Sequence, residues 1–150
     1  MSKVFKGRAV LPGHSQGPAL VTRTGFNVYA SFYDSLHENA EVAVCVDVGN
    51  ADLYGKRLDD CVICLPFTTG STSAGAVWQR VMGLGIEIKA MLFSQPIDPM
   101  AAGGLIIADQ WAGKRIVTID QLGETFLASV QDGDWIVIHE DGTVSISNAV

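Results

Sequence analysis

Positive charge is scarce in this chain. Its 150 residues hold only ten lysines and arginines against sixteen acids, a formal net charge of −6. A protein that tracks a phosphate backbone needs a basic stripe, so no nucleic-acid partner is expected. Cysteine is equally sparse. Three residues, Cys45, Cys61 and Cys64, are an odd number for a disulfide framework and suit buried reduced thiols. No apolar run reaches the roughly 18 residues of a membrane-spanning helix. The opening Met1-Ser2-Lys3-Val4-Phe5-Lys6 has none of the apolar core of a secretion signal. These absences lead to the expectation of a cytoplasmic protein with no membrane partner. A hydrophobic fraction of 48% over residues 1–150 fits one ordinary globular domain.

The apolar residues that are present fall into short runs. Val4–Val10 reads as a first strand, Pro12–Gly17 as a turn and Ala19–Thr22 as a second strand. The aromatic stretch 25–34 has neither the period of a helix nor that of a strand. It reads as loop with a short helical turn, lining a site or contact face or else covering the edge of the core. Glu41–Val48 alternates valines at 42, 44, 46 and 48 and reads as a strand. Cys61–Leu65 is a buried strand that stops at Pro66. After a polar loop, Ala74, Val77, Trp78, Val81 and Met82 mark the inner face of a helix that ends at Gly83 and Gly85. Ile86–Phe93 is the next strand. Asp98 followed by Pro99 starts a short helix through Ala102, and Leu105–Ala108 reads as another buried strand. Arg115–Ile119 is a strand, and Asp120 is expected to cap a helix that turns Leu122, Phe126, Leu127 and Val130 inward. Trp135–His139 and Thr143–Ser147, joined through Asp141-Gly142, form a hairpin. Strands first, then strand–helix alternation, then a hairpin, predict an α+β fold with a mixed sheet.

Most groups that tempt a functional reading fail on spacing. Cys61 and Cys64 spell C-x-x-C, but residues three apart on a strand face opposite ways, and no second pair completes a zinc set. Asp47, Asn50 and Asp52 begin like a calcium loop, yet the sixth position is not glycine and the twelfth, Leu58, has no ligand atom. Gly83-Leu84-Gly85 follows a helix where a dinucleotide fingerprint must open one, and the loop at Gly70 has no P-loop lysine. His14 sits in a glycine-flanked turn, where it could touch a substrate or another subunit. No metal site is expected on this chain.

Gly70-Ser71-Thr72-Ser73 stands apart, because it lies where a strand passes into the N-terminus of a helix. Free N–H groups and the helix dipole favour negative charge there. Two readings stay open on residues alone. Serine and threonine are ordinary helix caps. Equally, a hydroxyl could be aimed at a substrate anion or proton, with Gly70 permitting close backbone approach.

This corner is also the most specific part of a family resemblance that runs along nearly the whole chain. Gly7-Arg8, the Gly13–Gly17 turn, Ala30-Ser31-Phe32, Leu53-Tyr54-Gly55-Lys56, Leu65-Pro66 with Gly70-Ser71-Thr72, Ala90–Ser94, Ala108-Asp109 and Arg115–Thr118 together resemble the small swivelling subunit of aconitase X enzymes. The bacterial two-chain type, similar to cis-3-hydroxy-L-proline dehydratase, is the nearer branch. The archaeal branch, similar to mevalonate 5-phosphate dehydratase, often has a histidine before the Leu-x-Gly step, where this chain has Asn50-Ala51-Asp52-Leu53-Tyr54-Gly55.

The resemblance implies a swivelling β/β/α domain, a barrel-like mixed sheet with helices packed on one side. It implies a hydro-lyase subunit that is active only with a large subunit, and an iron–sulfur cluster held by that partner and not by this chain. The implied reaction dehydrates a small hydroxy acid, cis-3-hydroxy-L-proline to Δ1-pyrroline-2-carboxylate in the nearer branch. Ser71 would be the catalytic base, with Gly70, Thr72 and Ser73 at the substrate. Mevalonate 5-phosphate dehydration remains the alternative substrate reading. A non-catalytic ligand-binding domain of the same fold is the rival of another class.

Overall fold

The computed structural model describes residues 2–70 and 74–148. Ten strands and five helices occur among them: β1 (Ser2–Lys6), β2 (Arg8–Leu11), β3 (Ser15–Val21), β4 (Phe26–Asn27), α1 (Val28–Ser31), α2 (Tyr33–Glu38), β5 (Val62–Leu65), β6 (Thr68–Thr69), α3 (Ala74–Gly83), β7 (Ala90–Phe93), α4 (Pro99–Ala112), β8 (Val117–Asp120), α5 (Glu124–Ser129), β9 (Trp135–Ile138) and β10 (Thr143–Ser147). Eight strands make one mixed sheet in the order β1-β10-β9-β3-β5-β7-β8-β2. Its middle, β3-β5-β7-β8, is parallel, and the flanking pairs are antiparallel.

The two ends of that order are consecutive in sequence. β1 pairs with β10 and β2 with β8, so the chain passes from one edge of the sheet to the other at Gly7. There the Gly7 N–H donates to the Gly142 carbonyl (3.0 Å), and a Cβ on Gly7 would lie 2.4 Å from the Asp120 carbonyl oxygen. Only glycine allows this approach. It splits the single strand expected over Val4–Val10 in two and curls the sheet toward a barrel.

Each face of the curled sheet has its own core, because strand residues alternate between the faces. Leu20, Ile63, Leu65, Met91 and Phe93 pack with α2, α3 and α4. Val21, Val62, Cys64, Leu92 and Ile119 face the hairpin strands and α5, through Phe126 and Leu127. The expected inner face of α3 is confirmed at Val77, Trp78, Val81 and Met82, all buried. The C-terminal hairpin is present as expected.

Four expectations are corrected. Glu41–Val48 forms no ladder. Its period is right, with Ala43 and Cys45 buried and Val42, Val44 and Val48 outside, but its only strand pairing among the described residues is an isolated bridge between Val44 and Arg57. The following loop folds straight back on it, through Leu58 N–H to the Ala43 carbonyl and Cys45 N–H to the Lys56 carbonyl, and no longer neighbour is available. Leu105–Ala108 is helix. The short helix begun at Asp98 runs on to Ala112, burying Ala101, Leu105 and Ala108 at i, i+4 and i+7. Packing on α3 overrides the poor helix propensity of Gly103-Gly104.

Asp120 is not a helix cap. Gln121 and Gly123 both take positive φ (59° and 93°), which puts the α5 start at Glu124. The Asp120 carboxylate instead receives Arg8 in a two-pronged ion pair (2.9 and 2.7 Å) and the Ile97 N–H (2.8 Å). Finally, the stretch 25–34 holds the expected short helical turn, α1, but what flanks it is β4 and the start of α2 where loop was expected. Asn27 caps α1 with its side-chain oxygen, Phe26 and Phe32 enter the core, and Tyr29 and Tyr33 stay half-exposed. Two boundaries also move. β3 begins at Ser15, inside the expected turn, and the strand expected from Ile86 begins only at Ala90.

Candidate active site

Ser71, Thr72 and Ser73 lie outside the described residues, so the corner is defined by what flanks it. On one side β5 ends at Leu65 and the chain passes through Pro66 and Phe67 into β6. Thr68 and Thr69 of β6 pair in parallel with Phe26 and Asn27 of β4. Gly70 then adopts φ +109°, a region side chains rarely enter, and a Cβ there would lie 3.0 Å from Asn27 Oδ1. On the other side α3 begins at Ala74.

Two capping residues hold this place from below. Asn27 Oδ1 accepts the Ala30 N–H (3.1 Å) at the start of α1. Asp98 does two jobs: Oδ1 accepts the Ala101 N–H (2.9 Å), capping α4, and Oδ2 accepts the Thr68 hydroxyl (2.9 Å). β6 is thereby fixed to the α4 N-terminus. The rings of Phe26, Phe32 and Trp78 pack at centroid separations of 5.8–6.3 Å in the core that α1 shares with α3. All three are fully buried.

Sequence reasoning identified Gly70 and missed Asn27, Thr68 and Asp98 as its supports. The available signal for Asn27 was a cap residue immediately before Val28, and it was hidden because the next turn is only four residues long. Beside the corner, at the carboxyl ends of β3, β5 and β7, lies a groove of about 320 Å³ lined by Arg23, Phe67, Gln95 and Glu124 among others. Ligands of open α/β sheets collect at that edge of parallel strands. Arg23 is already engaged, donating to the carbonyls of Leu127 (3.3 Å) and Val130 (2.9 Å) at the end of α5.

The cysteines do not fit an iron–sulfur cluster. Cys61 and Cys64 belong to different cores on opposite faces of the sheet. Burial, with Asp59 and Asp60 adding to it, pushes the Cys61 thiol up to about 12, and burial drives Cys64 well above its ordinary value. Cluster ligation needs thiolates. The Cys61 thiol instead donates to the Leu58 carbonyl (3.1 Å). His14 is exposed, and its ring lies edge-on to that of His139 at 6.0 Å.

Known proteins agree with this architecture. Residues 4–146 match the family model described as the aconitase X swivel domain. A curated relative from Hypocrea jecorina, named cis-3-hydroxy-L-proline dehydratase, is 25% identical over 115 residues, which are 77% of this chain. The match spans 18% of that relative's length. In shape the chain is similar to the holo form of aconitase X from Thermococcus kodakaraensis, with TM-score 0.79, 19% identity, and 96% of this chain and 98% of that one covered. It is also similar to a UPF0107 protein solved in solution by NMR, with TM-score 0.70, 23% identity, and 95% and 97% covered. The barrel-like mixed sheet is thus that of a known domain: the chain belongs to the aconitase X swivel-domain family.

Proposed function

We propose that this chain supplies one side of the active site of an aconitase X hydro-lyase, a dehydratase of a small hydroxy acid. The observation that carries the reading is Gly70. It is held at φ +109° against the Asn27 amide, beside the Asp98 cap, where the chain enters α3. On this reading Ser71, the next residue, presents its hydroxyl as the base, with Gly70, Thr72 and Ser73 at the substrate. Ser71, as its oxyanion, takes the proton from the carbon acid; the bond from the neighbouring carbon to its hydroxyl breaks with its electron pair, and the departing hydroxide takes a proton from solvent or back from Ser71 to leave as water. A serine oxyanion is less costly near a helix N-terminus, where unpaired N–H groups and the dipole favour negative charge.

The chain's own cysteines do not fit a cluster, so the iron–sulfur centre and most substrate contacts belong to a large partner subunit. The relation to a hydroxyproline dehydratase supports cis-3-hydroxy-L-proline as substrate and Δ1-pyrroline-2-carboxylate as product.

The test is Ser71→Ala in the complex reconstituted with the large subunit, with Ser73→Ala as control. Loss of a helix cap alone costs about 0.5–2 kcal/mol of stability and spares turnover. Loss of the base lowers turnover by roughly 10²–10⁴-fold at comparable stability. We expect the second outcome for Ser71 and a smaller loss for Ser73. Wild-type turnover in Ser71→Ala would return the corner to simple capping.

A further inference from the structure

A second concave surface lies away from the Gly70 corner. It lies at the other end of the parallel strands, where the chain enters β3, β7 and β8, and encloses about 660 Å³. Its walls carry Lys89, Lys114 and Arg115, three of the ten basic residues of a chain whose net charge is −6. Glu87 is the one acid on the same wall. Ile88, Val117 and Ile138 form an apolar floor. Arg115 is balanced by Asp109, so the positive excess on this concave surface comes from Lys89 and Lys114 against the single Glu87.

The cations differ in how they are held. Arg115 is fixed: Nε and Nη2 grip Asp109 (3.0 and 2.9 Å), and Nη1 donates to the Pro12 carbonyl (2.9 Å). Among the described residues the Lys89 ammonium has only a long contact to Glu87, at 4.0 Å. Its stem lies over β3 because position 17 is glycine, where a Cβ would sit 3.3 Å from Lys89 Cγ. Lys114 has no hydrogen-bond or ion-pair partner among the described residues and is exposed. The imidazole of His14 stands on the same wall, edge-on to His139. A fixed guanidinium, two ammonium groups free to turn and an apolar floor match a compact organic anion, whose charged end would meet the lysines while its body covers the floor.

We infer that this cleft is a second ligand site, which takes a small organic anion through a carboxylate or phosphate group on Lys89 and Lys114. It stands independently of the dehydratase reading, since none of its residues belongs to the corner.

The experiment is an amide NMR titration of the full chain at constant ionic strength, with inorganic phosphate in one arm and succinate in the other. Fixed ionic strength removes general screening. The expected result is saturable shifts confined to residues 13–17, 87–89, 114–117 and 137–139. Affinity should fall about 10-fold in Lys114→Ala, the cost of one charge-assisted contact, and similarly in Lys89→Ala. Lys3→Ala, on the β1 edge, should bind as wild type. Saturation by phosphate alone assigns a phosphoryl ligand, and saturation by succinate assigns a carboxylate. Linear, unsaturated shifts in both arms, or affinities unchanged in the Lys114 and Lys89 variants, would overturn the site.

Discussion

Two aspartates show how a residue's type underdetermines its role. Asp120 is completely buried, yet its partner Arg8 is more than half exposed. The pair therefore joins the β1–β2 junction to the buried end of β8 with water on one side only. Removing the carboxylate leaves the Ile97 N–H without its acceptor. Asp120→Ala should cost about 1–3 kcal/mol, the usual penalty for an abandoned buried donor. Arg8→Ala should cost less, because water can replace the guanidinium on the open side. Thermal melts of the two variants give the comparison, and equal or reversed losses would contradict it.

Asp141, in the C-terminal hairpin, is exposed. The Thr143 hydroxyl and N–H and the Lys6 ammonium hold its carboxyl down to about 2, from an ordinary 3.8. A carboxyl depressed in the folded state adds stability that is complete above its unfolded value and lost as pH falls through its folded one. The stability gap between wild type and Asp141→Asn should therefore be open above about pH 4 and close as the pH approaches 2. Melts across that range measure it; a gap independent of pH would show that Asp141 does not act through its charge.

At the scale of elements, legibility followed whether the deciding partner was local. β5 and α3 could be read because an apolar run and a 3.6-residue stripe each specify an element that its neighbours then accept. The hairpin could be read from its Asp-Gly turn. Glu41–Val48 misled because alternation reports a face, whereas a strand also needs a neighbour to bond with, and the loop that folds back on it supplies only an isolated bridge. Leu105–Ala108 misled for the converse reason. Four apolar residues after two glycines look like a strand until the contact with α3 is known. Gly70 was legible from its setting between strand and helix; its props Asn27, Thr68 and Asp98 come from three separate segments, and no spacing links them.

The α4 correction has a measurable consequence. Gly103 lies inside the helix, and a Cβ there would meet nothing within 4 Å. Gly103→Ala should stabilise the protein by about 0.5–1 kcal/mol, since alanine has less backbone freedom to lose on folding. A strand-like 105–108 segment would give no such gain, so the melting temperature of this variant checks the helix as well as the energetics.

At the scale of the whole molecule, structural completeness and chemical incompleteness stand side by side. The sheet curls through Gly7, one core fills each face, and the described residues bury large side chains such as Trp78, Phe93 and Phe126 entirely. A domain of this size buries roughly 70% of its unfolded surface, enough to fold without a partner. Its chemical inventory is thinner. Dehydration needs a base and also an electrophile to assist the departing hydroxyl. The corner offers a hydroxyl, while Cys61 and Cys64 lie in opposite cores as high-pKa thiols. The isolated chain should therefore unfold in a single cooperative transition and show no dehydration of cis-3-hydroxy-L-proline. On the proposed reading, mixing it with a large subunit should give turnover in proportion to complex formed, to a plateau at a fixed subunit ratio. Calorimetry of the chain alone and a product assay across a subunit titration measure the two halves separately. Robust turnover by the chain alone would mean that it holds a complete site, and the division of labour proposed for this domain would be wrong.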